Sequence, residues 1–138
     1  MRNAIVCLAV ALALPTSAAF ARSPHSNPGT HGKSAPKVLY ILEGTLSAYT
    51  PAGSSDGQIS ITVKHANYHG RALKGQALTF AVKTKTRITF RNGTTVSQID
   101  GAKGIILVRA PKRILPAALA ATLQTYPARH VIVQKAAS

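Results

Sequence analysis

The sequence predicts a mainly β protein: a small barrel of five to six antiparallel strands with one short helix before the last strand. Three observations lead there. Apolar and polar residues alternate with period two through most of the chain after Lys37. Turn-forming residues interrupt that alternation roughly every ten residues. Only one segment, after Pro116, carries a run of good helix formers.

The first strand is "KVLYILEGTLSAY", where Gly44 marks a bulge or tight bend. "QISITVK" sets Ile59, Ile61 and Val63 inward against Ser60, Thr62 and Lys64, the pattern of a half-buried strand. "LTFAVK" repeats it with Leu78, Phe80 and Val82. "TRITFRNGTT" points Ile88 and Phe90 inward and then reaches Asn92-Gly93, a strong two-residue hairpin signal. "GIILVRA" is a more continuously apolar fifth strand. In "ILPAALAATLQTY", Pro116 suits a first helical position. "RHVIVQK" is the sixth strand. A closed or nearly closed OB-like barrel is the expected architecture, with a small sandwich as the alternative.

The N-terminus reads as an export signal over residues 1–21. Arg2 supplies the positive start, "AIVCLAVALAL" the apolar stretch, Pro15 to Ser17 the break, and "AFA" the small residues ahead of cleavage after Ala21. The apolar run of eleven residues falls short of the roughly 20 that span a bilayer, and no later stretch approaches that length. Cys7 would leave with the leader, so the mature chain is expected to carry neither thiol nor disulfide. Residues 22–36, "RSPHSNPGTHGKSAP", lack apolar periodicity and read as a flexible tail. His25 falls at mature position four behind Pro24, which lacks an amide proton, an arrangement that disfavours an amino-terminal copper chelate. The β-barrel domain is expected over residues 37–138.

With those elements in place the chain resembles a small β-barrel domain of unknown function found in exported bacterial proteins. The resemblance spans about residues 38 to 134 and rests on "GTL" (Gly44 to Leu46), "ISITV" (Ile59 to Val63), "GQALTFAV" (Gly75 to Val82), "TRI" (Thr86 to Ile88), "GIILVRA" (Gly104 to Ala110) and "ARHVIV" (Ala128 to Val133). Members commonly place an acidic residue after the glycine that precedes the fifth strand, where this chain has Ile105. The resemblance implies a barrel and an exported location, periplasmic or secreted. It brings no catalytic residue.

Seventeen Lys and Arg stand against three acidic residues, a formal net charge of +14. Charged residues make up only 14% of the chain, where about 25% is ordinary, so the imbalance comes from missing acid rather than added base. An acid-poor surface is what adaptation to an acidic medium would also produce. If the strand phases hold, Lys64, Lys83, Arg87 and Arg91 point outward from neighbouring strands and form one cationic face, with Lys85 in the link beside it. Such a face suits phosphate or sulfate groups through counterion release. Nucleic acid is disfavoured: the chain has no Trp, Phe80 and Phe90 belong to the core pattern, and only Tyr49, Tyr68 and Tyr126 remain as surface rings. In an exported protein the expected partners are anionic polysaccharide, lipopolysaccharide or lipid head groups.

"KHANYHGRALKG" sets His65 and His69 four residues apart. On a helix they would share a face and could chelate. Asn67 and Gly70 instead mark a turn, and Lys64, Arg71 and Lys74 would repel a divalent cation. The expected reading is a hairpin connection whose functional use is anion contact by Lys64, Arg71, Lys74 and the two imidazoles, strengthened below about pH 6.5. No metal or other cofactor is assigned.

Catalysis is not expected. Acid–base or glycosidase chemistry needs two placed carboxylates, and Glu43, Asp56 and Asp100 are the whole supply. Glu43 is expected to pair with a basic residue. No G-x-S-x-G, G-x-G-x-x-G or P-loop occurs. The function expected is therefore a non-catalytic basic binding module. The alternatives are a structural or accessory envelope protein, or a weak periplasmic metal-handling protein using His65 and His69.

Overall fold

The computed structural model describes residues 35–137. The expected leader with Cys7 and the expected tail with His25 and His31 lie outside the described residues, apart from Ala35 and Pro36. Five strands carry the fold: β1 (Lys37–Thr50), β2 (Gly57–Ala66), β3 (Ala77–Phe90), β4 (Lys103–Pro111) and β5 (Ala128–Lys135). One short helix, α1 (Leu119–Gln124), precedes β5, and 3₁₀ turns cover Tyr68–Leu73, Val96–Gln98 and Pro116–Ala118. The chain is thus mainly β with one short helix, as the alternation and the Pro116 start predict. No described helix is long and apolar enough to cross a membrane.

Two expectations about the sheet need correction. The third and fourth predicted strands are one: β3 runs unbroken through Lys83–Arg87. That stretch lacks Gly, Pro and Asn, and its threonines favour extended backbone, so nothing turns the chain. The sheet is also mixed rather than antiparallel. β1 pairs antiparallel with β2 and β4, β2 with β3, and β4 with β5, whereas β3 and β5 run parallel. The order is β1-β2-β3-β5-β4, with β4 returning to β1.

The parallel join follows from what lies between β3 and β5. Asn92 (φ 54°) and Gly93 (φ 69°) adopt the left-handed backbone that their sequence signals, but no hairpin follows. The buried Thr94 hydroxyl donates to Arg91 O at 2.7 Å, and the chain continues into the 3₁₀ turn at Val96–Gln98. β4 then runs beside β1, and α1 carries the chain back. The Gln124 side chain at the end of α1 accepts from Thr79 N of β3 at 2.9 Å, while Leu119 and Leu123 are buried.

Buried side chains from all five strands form one core that includes Tyr40, Leu42, Leu46, Ile59, Phe80, Ile106 and Val131. Burial holds the Tyr40 phenol above its usual pKa, and its hydroxyl donates to Pro111 O at 3.0 Å. Gly44 lies where β1 slips register against β2, and a Cβ there would collide with the Thr62 carbonyl. The bulge read from the sequence is therefore a close approach of two backbones. Gly44→Ala is expected to lower the unfolding free energy by about 2 kcal/mol. Gly53→Ala, built into open space, should stay within about 0.5 kcal/mol of the parent; paired denaturation curves decide between them.

Candidate anion-binding cleft

The four cations expected on one strand face, Lys64, Lys83, Arg87 and Arg91, are not gathered there. The β2–β3 ladder runs from Thr62↔Ala77 to Gly57↔Val82, which puts Lys64 past one end and Lys83 past the other. Roughly 25 Å of strand separates them at the usual rise per residue. The expectation failed because it treated Lys83 and Arg87 as lying on adjacent strands, whereas both belong to β3.

Lys64 and His65 end β2 and line a cavity of about 110 Å³ with Glu43, Gly44 and Lys103. Glu43 makes no ion pair there: Lys83–Asp56 is the one ion pair among the described residues. The turn expected at Tyr68–His69 is a 3₁₀ turn, with the Asn67 side chain accepting from Gly70 N. His69 meets the Tyr40 ring at a tilt of 60° and the Tyr68 ring edge-on, with centroids 6.0 and 5.7 Å away. Arg71 lies 4.9 Å over the Tyr68 ring, and Lys74 is exposed at the C-terminal cap. No group of three His, Cys, Asp or Glu is placed to hold a metal among the described residues.

The concentration of charge lies elsewhere, and backbone irregularity creates it. β3 leaves β2 after Val82, touches β5 there, and resumes regular pairing with it only at Arg87. Between the pairs Val82↔Ala128 and Arg87↔His130, four residues of β3 face the single residue Arg129 of β5. β4 slips at the same level, between Leu107 and Val108. The Thr86 hydroxyl stitches the gap: it donates to Ala128 O at 2.7 Å and accepts from Lys83 N at 2.9 Å. The ladder therefore opens into a cleft of about 290 Å³ lined by Lys83, Lys85, Thr86, Arg109, Pro127, Ala128 and Arg129.

Four cations share this cleft, and one carboxylate stands by. Lys83 Nζ lies 2.9 Å from Asp56 Oδ2, with both side chains about half exposed, so water screens the pair. Lys85, Arg109 and Arg129 have no acidic partner within ion-pair distance. Arginine forks over an apolar floor, with one hydroxyl beside them, match the oxygens of phosphate or sulfate. Arg109 and Arg129 were missed in the sequence. Each directly follows a buried strand residue at one level of the sheet, where Val108 pairs with Ala128 and Ala128 with Val82, a signal readable only once β3 and β5 are known to be neighbours.

Arg87 and Arg91 do not line the cleft and act instead on His130. Its Nε2 lies 2.9 Å from Thr89 Oγ1. Burial, then the charges of Arg87 and Arg91, lower its pKa from the ordinary 6.5. No family model, curated protein or solved structure matches the chain.

Because the folded protein resists protonating His130, the unfolded chain binds more protons as the pH falls. Stability should be unaffected above about pH 6.5 and decline from there to the lowered folded pKa, below which the penalty is constant. His130→Gln should shrink the loss of denaturation midpoint between about pH 7.5 and about pH 5.5. An equal loss in parent and variant would clear His130 of any part in it.

Proposed function

We propose that the chain is an exported, non-catalytic basic module that holds the phosphate or sulfate groups of an anionic envelope polymer or lipid in the cleft of Lys83, Lys85, Arg109 and Arg129. The observation that carries this reading is the convergence of those four side chains on one opening with Asp56 as their only acidic neighbour. The return of β4 to β1 and the parallel β3–β5 pairing support taking the sheet as a small OB-like barrel, in keeping with the resemblance of its strands to that exported group. The leader pattern of residues 1–21 supports export. Of the residues predicted to bind anions, Lys83 lines the cleft, while Arg87 and Arg91 surround His130. Lys64, His65, His69, Arg71 and Lys74 form a separate basic end.

That separation favours a second reading, an accessory envelope protein whose scattered charge is an adaptation to its medium. Charge reversal distinguishes the two. Lys85→Glu with Arg109→Glu should weaken binding to a sulfated polysaccharide by about thirtyfold or more at low salt, and reduce the slope of log affinity against log salt by about two. Lys64→Glu with Lys74→Glu should have a much smaller effect. Equal losses from both pairs would show diffuse attraction and favour the second reading. The export element has its own test: the intact mass of protein recovered outside the cytoplasm should correspond to a chain starting at Arg22, and an uncleaved Met1 start would remove it.

A further inference from the structure

The outer face of β1, β4 and β5 carries a second feature, an aliphatic surface where a solvated strand face would ordinarily be polar. Leu39 and Ile41 of β1 are 37% and 38% exposed, and Ile105, Leu107 and Ile132 are half-buried beside them. Register makes them one patch. Ile41 is opposite Leu107 and Leu39 opposite Arg109, while Ile105 is opposite Ile132 and Leu107 opposite His130.

Cations bound this patch. Arg109 lies within it and also lines the cleft. Arg87 is opposite His130 at the far side of the row, and Lys103 is opposite Lys135 at the end of β4. Glu43, opposite Ile105, is the one acid on the face. A basic rim around aliphatic side chains is the composition that binds an anionic lipid interface, where head groups meet the rim and acyl chains cover the centre.

We propose that this face docks on the surface of an anionic lipid bilayer while the adjoining cleft takes a head-group phosphate. The inference rests on the anion-binding reading of the cleft and names the partner's class. Charge complementarity selects the occupant. A second copy would press one basic rim against another, and a hydrophilic polyanion would leave Leu39, Ile41 and Leu107 without a counterpart.

The test uses sedimentation with vesicles of phosphatidylglycerol and phosphatidylcholine in equal parts, with vesicles of phosphatidylcholine alone, and with soluble dextran sulfate as the polymer arm. The protein should bind the anionic vesicles at least about tenfold more tightly than the neutral ones. Ile41→Ser with Leu107→Ser should weaken vesicle binding by about tenfold or more and leave dextran sulfate binding unchanged. Both positions face outward, so the core is untouched; if this pair fails to fold, Leu39→Ser makes the same comparison alone. Vesicle binding equal to the parent's, with dextran sulfate binding intact, overturns the docking face and leaves the cleft reading standing. Parent protein that ignores dextran sulfate and both vesicles overturns the two together. Self-association that the serine variant abolishes, with vesicle binding unaltered, overturns lipid docking in favour of a second copy.

Discussion

The handover of β3 from one neighbour to another is the constraint on which the rest of the structure depends. A single strand pairs antiparallel with β2 through its first half and parallel with β5 through its second. The β2 ladder ends at Val82 and the regular β5 ladder resumes only at Arg87, so Lys83 to Thr86 bulge out between the two. Thr86 meets the backbone needs of that stretch by bonding both Lys83 N and Ala128 O. Without this stitch, polar backbone would be left unpaired next to the buried Val82 and Ala128. The cleft is the by-product: a ladder that opens needs side chains that tolerate water, and the chain supplies lysine and arginine there.

The distribution of charge follows from the same junction. With β3 continuous, Lys83 and Arg87 lie on one strand, with Arg91 just past its end, instead of on two strands. Lys83 joins Arg109 and Arg129 because Val82, Ala128 and Val108 meet at one level, and Arg87 and Arg91 crowd His130. Lys64 and Lys74 remain at the other end of the β2–β3 ladder. A net charge that looks uniform in the composition is therefore divided into local environments with different neighbours. One has Asp56, another has Glu43, and a third has an imidazole whose pKa is lowered by burial and by two arginines.

Most of the element-level structure was legible in the sequence. Ile59, Ile61, Val63, Leu78, Phe80 and Val82 are all buried, as period two requires. Gly44 is at a bulge and Pro116 opens the segment leading into α1. What failed was pairing. "TKT" broke the apolar alternation and looked like a link, although threonine continues an extended chain well. Asn92-Gly93 took its expected backbone yet led to no hairpin, because the turn type fixes local geometry while burial of Thr94, Ile99 and Ala102 decides where the chain goes next. The cleft was hidden for the same reason. Arg109 and Arg129 lie more than 20 residues from Lys83 in sequence, and only the β4–β5 and β3–β5 ladders bring them together.

The pairing of β1 with β4 also bears on how the chain reaches this state. Lys37 is opposite Pro111, and the Tyr40 hydroxyl closes on that proline's carbonyl across 71 positions of sequence. The first strand cannot find its second neighbour until nearly the whole domain has been synthesised, and β5 must arrive before β3 has its own. Such non-local contacts cannot form on a partial chain, so completion of the sheet waits for the last strand. A chain cut short before β5 would leave β3 and β4 each with an unpaired edge, so the last eight-residue strand completes both sides of the sheet together.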